Sequence, residues 1–290
     1  MKEPVRHLAG SAGPRVAVAA FTESVEIWDV VAVRRLSAFP TGLDFGGRRL
    51  CLLSDGSLCL TGAFHRFGVA AYRSEDGTPK WSRRDVRRVQ YISTSHDDRR
   101  VYVGLASGPL VVLDTANGST IEKISGVRRV FEGGSKQARL LDRPTPVVEV
   151  EARAPFSVPR TTFGILDVAF GPDSLCISES TGPTRCLDLT SGAEIWRYVP
   201  PRGQHLLSLA YCESAKSFVG VSCEYVETAA KFLLQFGPKG EAVPLAQLGQ
   251  PVEATFCLSG EAVISSDGQL FESSTGKLLR GIPFEEAAES

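Results

Sequence analysis

Apolar residues in this chain come in short runs of about 4–7, rich in Val, Leu, Ile, Phe and Tyr and cut by Gly, Pro, Asp and Ser. Examples are RVAVAAF (Arg15–Phe21), SVEIWDV (Ser24–Val30), RVYVGL (Arg100–Leu105), PLVVLD (Pro109–Asp114), SLCISES (Ser174–Ser180) and KSFVGVS (Lys216–Ser222). Sustained helical periodicity is nearly absent. The pattern therefore predicts short strands joined by tight turns.

The runs are also periodic. LDLTSGAEIW (Leu187–Trp196) has the same outline as YRSEDGTPKW (Tyr72–Trp81), LDTANGSTIE (Leu113–Glu122) and FESSTGKLLR (Phe271–Arg280). Each has an apolar residue, a polar stretch, a Gly five positions on, then a new run. The marker glycines Gly77, Gly118, Gly192, Gly240 and Gly276 are spaced by 41, 74, 48 and 36 residues. The gap of 74 is close to two units. The missing marker falls in Arg143–Thr162, whose four prolines suit neither the standard turn nor inner sheet pairing. An N-terminal unit ends in EIWDVVAVRRL, with Val33 where the Gly would stand.

Read as four strands per unit, the repeats begin near Val5, Thr41, Val86, Val127, Phe163, His205 and Val252. Seven units of about 40 residues fill the chain, which is the period of propeller blades. A sheet this small cannot bury both its faces alone. Stacking sheets radially buries each face against a neighbour, and closing the ring leaves only short edges. The expected fold is an all-β, seven-bladed β-propeller with four antiparallel strands per blade. It occupies residues 1–284 as one domain, with 285–290 as a short acidic tail. The marker Gly would supply φ > 0 in the hairpin before the outer strand, and a nearby Asp or Ser would bond back to the turn. Trp81 and Trp196, early in outer strands, would pack over the neighbouring sheet. A pair of β-sandwiches would not explain a single period running end to end.

Several stretches resemble a known superfamily. VEIWDV (Val25–Val30), ILDVAFGPDSLCISES (Ile165–Ser180) and LDLTSGAEIW are similar to WD40 repeats, and DGTPKW and SGAEIW resemble the TGxxxW unit of quinoprotein-like propellers. The resemblance implies a rigid disc whose faces hold other proteins. It does not imply the Asp–His–Ser/Thr network of regular WD40 members, because Trp28-Asp29 has no Gly-His partner. Nor does it imply a quinone, since adjacent cysteines and a calcium-binding carboxylate set are not visible. No cofactor is expected.

Composition narrows the class further. The 290 residues are 43% hydrophobic and 22% charged, enough for a normal core, and the net charge of −1 gives no global pull toward nucleic acid or anionic membrane. Seven cysteines without CxxC spacing lie mostly in apolar runs, which suits buried thiols in a reducing compartment. The N-terminus lacks the apolar segment of a secretion signal, and no run reaches the ~18 apolar residues of a membrane span. A soluble, cytoplasmic chain, monomeric outside its complex, is expected.

Chemical motifs are sparse. There is no GxSxG and no GxxxxGK[ST]; STGK at Ser274–Lys277 lacks the glycine-rich lead. Leu43–Gly47 contains Asp-Phe-Gly without the other kinase elements. The four histidines, His7, His65, His96 and His205, show no metal-ligand spacing, and no metal is expected.

One feature stands out. DVRRVQY (Asp85–Tyr91) and GVRRVFE (Gly126–Glu132) place Arg pairs at the starts of units three and four. With Arg83 and Arg84 just upstream, and Arg6 and His7 at the start of unit one, the candidate partner-binding set is Arg83, Arg84, Arg87, Arg88, Arg128, Arg129, Arg6 and His7. These residues would gather near one mouth of the channel. Solvated Arg tips over buried stems are the plain reading. The functional one is a basic patch for another protein with an acidic surface, since Arg makes bidentate contacts to carboxylates. The expected function is thus a non-catalytic protein-binding propeller, either an adaptor or a dedicated inhibitor such as a toxin-immunity protein. Arg143–Thr162, read as an irregular loop, is a second candidate for specificity. The alternative is a lactonase- or hydrolase-type enzyme at the channel mouth, with Asp44, Asp167 and Glu253 at roughly matching inner-strand positions, though inner-strand acids also serve as structural caps. Nucleic-acid binding lacks interleaved aromatics and a basic net charge.

Overall fold

A computed structural model describes residues 5, 7–19, 24–40, 49–63, 68–141, 147–151, 155–159, 165–180, 182–224, 231–248 and 253–284. Among these residues the chain forms seven antiparallel sheets of four strands each, and the strand order in every sheet follows the sequence. Each blade is therefore one contiguous segment. The inner strands of blades 1 to 7 are His7–Gly10, Leu50–Leu52, Val89–Thr94, Val127–Gly133, Ile165–Phe170, Gln204–Cys212 and Ala254–Cys257. The outer strands are Arg34–Pro40, Pro79–Arg83, Thr120–Ile124, Phe156–Pro159, Glu194–Tyr198, Ala242–Gln247 and Leu278–Gly281. Successive inner strands touch one another, and that of blade 7 touches that of blade 1, so the ring is closed. We call the face where the inner strands begin the upper face.

Burial follows from this packing. The second strand of blade 5, Ser174–Glu179, is buried along almost its whole length because both faces of its sheet are covered, whereas the outer strand Thr120–Ile124 is exposed along almost all of it. The apolar core divides into seven clusters, each shared by two adjacent blades. Ring closure is one of them: Val16, Val18 and Trp28 of blade 1 pack with Ile264, Leu270 and Phe284 of the blade 7 region. Gly10 sits at this closure because a Cβ there would lie 2.0 Å from the Phe256 carbonyl oxygen.

The marker glycine has two reasons to be glycine. Gly118 has φ 72°, and a Cβ on it would lie 2.7 Å from the ring of Trp81 in the preceding blade. Trp196 covers Gly240 in the same way. Trp81 also donates its Nε1–H to the Thr115 carbonyl at 2.9 Å. The Asp four residues before the Gly ties the turn: Asp114 Oδ1 accepts the N–H of Ala116 and of Asn117. Outer-strand aromatics thus cover the neighbouring blade, as the repeat predicts. In blade 1, Val33 replaces the Gly yet keeps φ at 52°.

The proline-rich segment departs from the sequence expectation. Val147–Glu151 and Phe156–Pro159 are the third and outer strands of blade 4, paired from Val147↔Pro159 to Val150↔Phe156. Its prolines do not prevent pairing because Pro155 precedes the outer strand and Pro159 ends it, where no fifth strand needs an N–H. It is sheet rather than a projecting loop over these residues; 142–146, 152–154 and 160–164 lie outside the described residues.

Candidate functional site

The inner strands surround a channel cavity of about 220 Å³, lined by residues of blades 1, 2, 3, 4, 6 and 7. Strand register defines one tier of this channel. His7 pairs with Ala19, Tyr91 with Gly104, Arg129 with Leu140, Asp167 with Ser178 and Ser208 with Val221, while the Arg49 and Glu253 carbonyls accept the N–H groups of Gly62 and Ser266. These seven residues occupy the same position in the seven repeats. The tier is polarised. Blades 1 to 4 contribute His7, Arg49, Tyr91 and Arg129, and blades 5 to 7 contribute Asp167, Ser208 and Glu253.

The two acids hold the ring together. Asp167 Oδ2 accepts the Leu209 N–H of the next blade at 2.9 Å, and Glu253 Oε2 accepts the Leu8 N–H of blade 1 at 2.8 Å. Their matching positions are therefore explained by matching structural tasks. Asp44, the third acid of the enzyme reading, lies outside the described residues, as do Arg6 and His65. Among the described residues no group of three or more His, Cys, Asp and Glu could hold a metal ion.

The basic residues divide into three groups. Arg84, Arg87 and Arg88 are exposed in the upper-face segment that leads into blade 3, and Arg87 Nε donates to the Arg84 carbonyl at 3.2 Å. Arg128, also exposed, stands in a bulge at the start of blade 4, and its carbonyl lies against Gly104 at the end of the blade 3 second strand. Arg129 and His7 line the channel instead. The Arg129 guanidinium lies 4.2 Å from the Phe131 ring centroid and 5.2 Å from that of Tyr91, a cation–π contact with both rings. The two Arg pairs are not equivalent in register: Val89 aligns with Val127, so Arg129 matches Tyr91, not Arg88.

Arg83 does not join the channel mouth. It ends the outer strand of blade 2, where it clamps Asp85 at 2.8 and 2.7 Å and donates to the Gly118 carbonyl of blade 3 at 2.6 Å. The guanidinium pulls the Asp85 carboxyl down to about 2. Arg83 is thus a staple on the rim, and it leaves the partner-binding set on geometric grounds.

Three features escape a reading of the sequence. Arg49, 6% exposed, lines the channel beside His7. Its signal is a third Arg pair, Arg48-Arg49, at a unit start. Glu179 and Arg185 form a buried ion pair at 2.6 Å inside blade 5. Cys223 Sγ lies 3.0 Å from His205 Nε2 across the first hairpin of blade 6. Burial pushes the thiol up to about 11, and burial, then the Lys231 ammonium, pushes His205 down, so both shifts favour the neutral pair.

A closed ring of seven four-stranded blades around a polar channel defines the class: the fold is that of the WD40 and quinoprotein-like β-propellers. Among solved structures, the chain is similar to hydrazine synthase from Kuenenia stuttgartiensis (TM-score 0.68, 12% identity, covering 95% of this chain and 97% of that one). It is also similar to the WD40 repeats of RRP9 (0.66, 13%, 91% and 87%) and to BamB from Moraxella catarrhalis (0.59, 9%, 94% and 84%). At such identities the likeness is one of fold. No protein-family model and no curated protein matches the sequence.

Proposed function

We propose that this propeller is a non-catalytic binding protein that holds an acidic-surfaced protein on its upper face. The observation that carries this reading is that exposed Arg84, Arg87, Arg88 and Arg128 stand on that face at the starts of the neighbouring blades 3 and 4. Guanidiniums at a rigid rim suit bidentate contacts with partner carboxylates, and with a net charge of −1 they act by local complementarity rather than long-range steering. The reading covers both an adaptor and a dedicated inhibitor such as an immunity protein. It takes the chain as a cytoplasmic monomer outside its complex. The seven free cysteines, six of them buried, support a reducing compartment. Asp167 and Glu253, two of the three candidate acids of the hydrolase reading, are engaged in joining blades, which favours binding over catalysis.

The test uses a partner identified by co-purification at low salt and then reconstituted from pure components. Arg87→Glu with Arg128→Glu should abolish the complex while leaving the melting temperature close to wild type. Arg99→Glu, a charge reversal on the lower face, should leave it intact. Binding that survives the double reversal would refute the upper-face assignment. A stoichiometric divalent ion in a native mass spectrum would favour the hydrolase reading.

A further inference from the structure

Arg88 holds a left-handed φ of 59°, a conformation that suits glycine and strains a residue with a side chain. The next repeat shows what the position prefers. Val89 aligns with Val127, so Arg88 aligns with Gly126, which has φ 74°. A Cβ on Gly126 would meet nothing within 4 Å, so glycine stands there for its backbone and not for want of space. Blade 4 thus uses glycine at this corner, whereas blade 3 keeps an arginine. No contact within the described residues accounts for it: the Arg88 side chain is exposed and makes no hydrogen bond or ion pair among them. Asp98 is a contrast. It is also left-handed, at 56°, but its carboxylate takes the Ser54 N–H at 2.9 Å.

The segment that carries Arg88 is braced from several sides. The Arg88 carbonyl accepts the Ala106 N–H at 2.9 Å, and Val86 and Val89 are buried on either side of the Arg pair. Asp85, the one acid among residues 84–88, has both carboxylate oxygens on Arg83, so it is not turned toward Arg88. Arg87 is partly committed as well, through Nε to the Arg84 carbonyl. We propose that Arg88 is the affinity-determining residue of the upper face, where its guanidinium grips a carboxylate of the partner, a role that rests on the protein-binding reading above. Backbone strain kept at an exposed residue with no internal task is the mark of a binding contact. The corner is ordered before a partner arrives, so association has only the side chain to immobilise. A planar fork on a fixed backbone is the kind of arginine that dominates interfaces.

Calorimetry with the co-purified partner, reconstituted from pure components, and thermal unfolding of the free chain test this role together. Arg88→Asn tolerates the left-handed region and lacks the cation, so it should keep Tm and weaken Kd at least about tenfold. Arg88→Gly should raise Tm and weaken Kd as much. Arg88→Lys keeps the charge without the fork and should fall between Arg88→Asn and wild type. Arg84→Ala should weaken Kd less than Arg88→Asn does, and lower-face Arg99→Glu should leave it unchanged. A smaller loss in Arg88→Asn would overturn the assignment, as would an equal loss in Arg84→Ala, which would mean a diffuse charge effect. A fall in Tm for Arg88→Gly would show that the arginine has an internal task. Loss of binding in Arg88→Gly alone would trace the effect to backbone stiffness, and both results count against the proposal. If Arg88→Asn binds like wild type while Arg87→Glu with Arg128→Glu does not, the upper face stands without Arg88. If the double reversal binds too, the face itself is wrong.

Discussion

The junction between blades 2 and 3 and the junction between blades 7 and 1 perform the same task by different means. The chain crosses the first through residues 84–88, and Trp81 and Arg83 lie over the turn that carries Gly118. Blades 7 and 1 are joined by contacts alone. There, Arg280 replaces the tryptophan and donates to the Val31 carbonyl, and the turn beneath has Val33 at φ 52° in place of glycine. The aromatic cover is missing from the outer rim of the closure, and other contacts between the two blades compensate. Gly10 allows the blade 1 inner strand to lie against the Phe256 carbonyl, Glu253 takes the Leu8 N–H, and Trp28 meets Phe284 edge-on at 5.7 Å. The comparison teaches that the unlinked junction, without the aromatic cover, is held by contacts spread from the inner strands to the outer ones.

Four substitutions probe this difference, in falling order of effect. Gly10→Val places side-chain atoms where the Phe256 carbonyl stands. It should destabilise by at least about 3 kcal/mol and lower Tm by at least about 5 °C in thermal unfolding. A smaller loss would mean that the closure is loose near the axis. Trp81→Ala uncovers Gly118 at the linked junction and should cost about 2–3 kcal/mol by chemical denaturation, less than a fully buried Trp because this one is half-buried. Val33→Gly relieves a β-branched residue of a left-handed conformation at the closure and should stabilise by about 1 kcal/mol, read as a rise in Tm. A fall would show that the Val33 side chain contributes more packing than its backbone costs.

The smallest effect is electrostatic. Asp85 has a folded pKa pulled from 3.8 to about 2 by Arg83. Its contribution is present above the unfolded value and is lost as pH falls through about 2. Because the Asp85 side chain is 65% exposed, Asp85→Asn should cost less than about 0.5 kcal/mol at pH 7. The variant's stability should converge on wild type by about pH 2.

The fold was legible because one unit recurs: inner strands begin within a few residues of the expected starts at Val86, Val127, Phe163, His205 and Val252. Blade 4 was harder. It lacks the Gly turn, and only pairing with Gln137–Leu140 reveals Val147–Glu151 as a strand. The channel was legible in part. Arg129 and His7 reach it, but Arg49 was missed and the Arg pairs were set three residues out of register. The physical reason is that hairpin lengths and bulges vary between repeats. The separation from tier residue to turn anchor is 19 from Glu253 to Glu272 and 24 from Arg49 to Arg73, so counting along the chain does not recover which side chain faces the axis. His205–Cys223 and Glu179–Arg185 depend on cross-strand register for the same reason.

Because every blade is spelled by one uninterrupted stretch, and Val5 and Phe284 share the cluster that completes the circle, the architecture has no privileged starting point. A circular permutant with a short linker bridging Phe284 to Val5 and new ends opened at 84–88 would keep all seven sheets, merely exchanging which seam the backbone crosses.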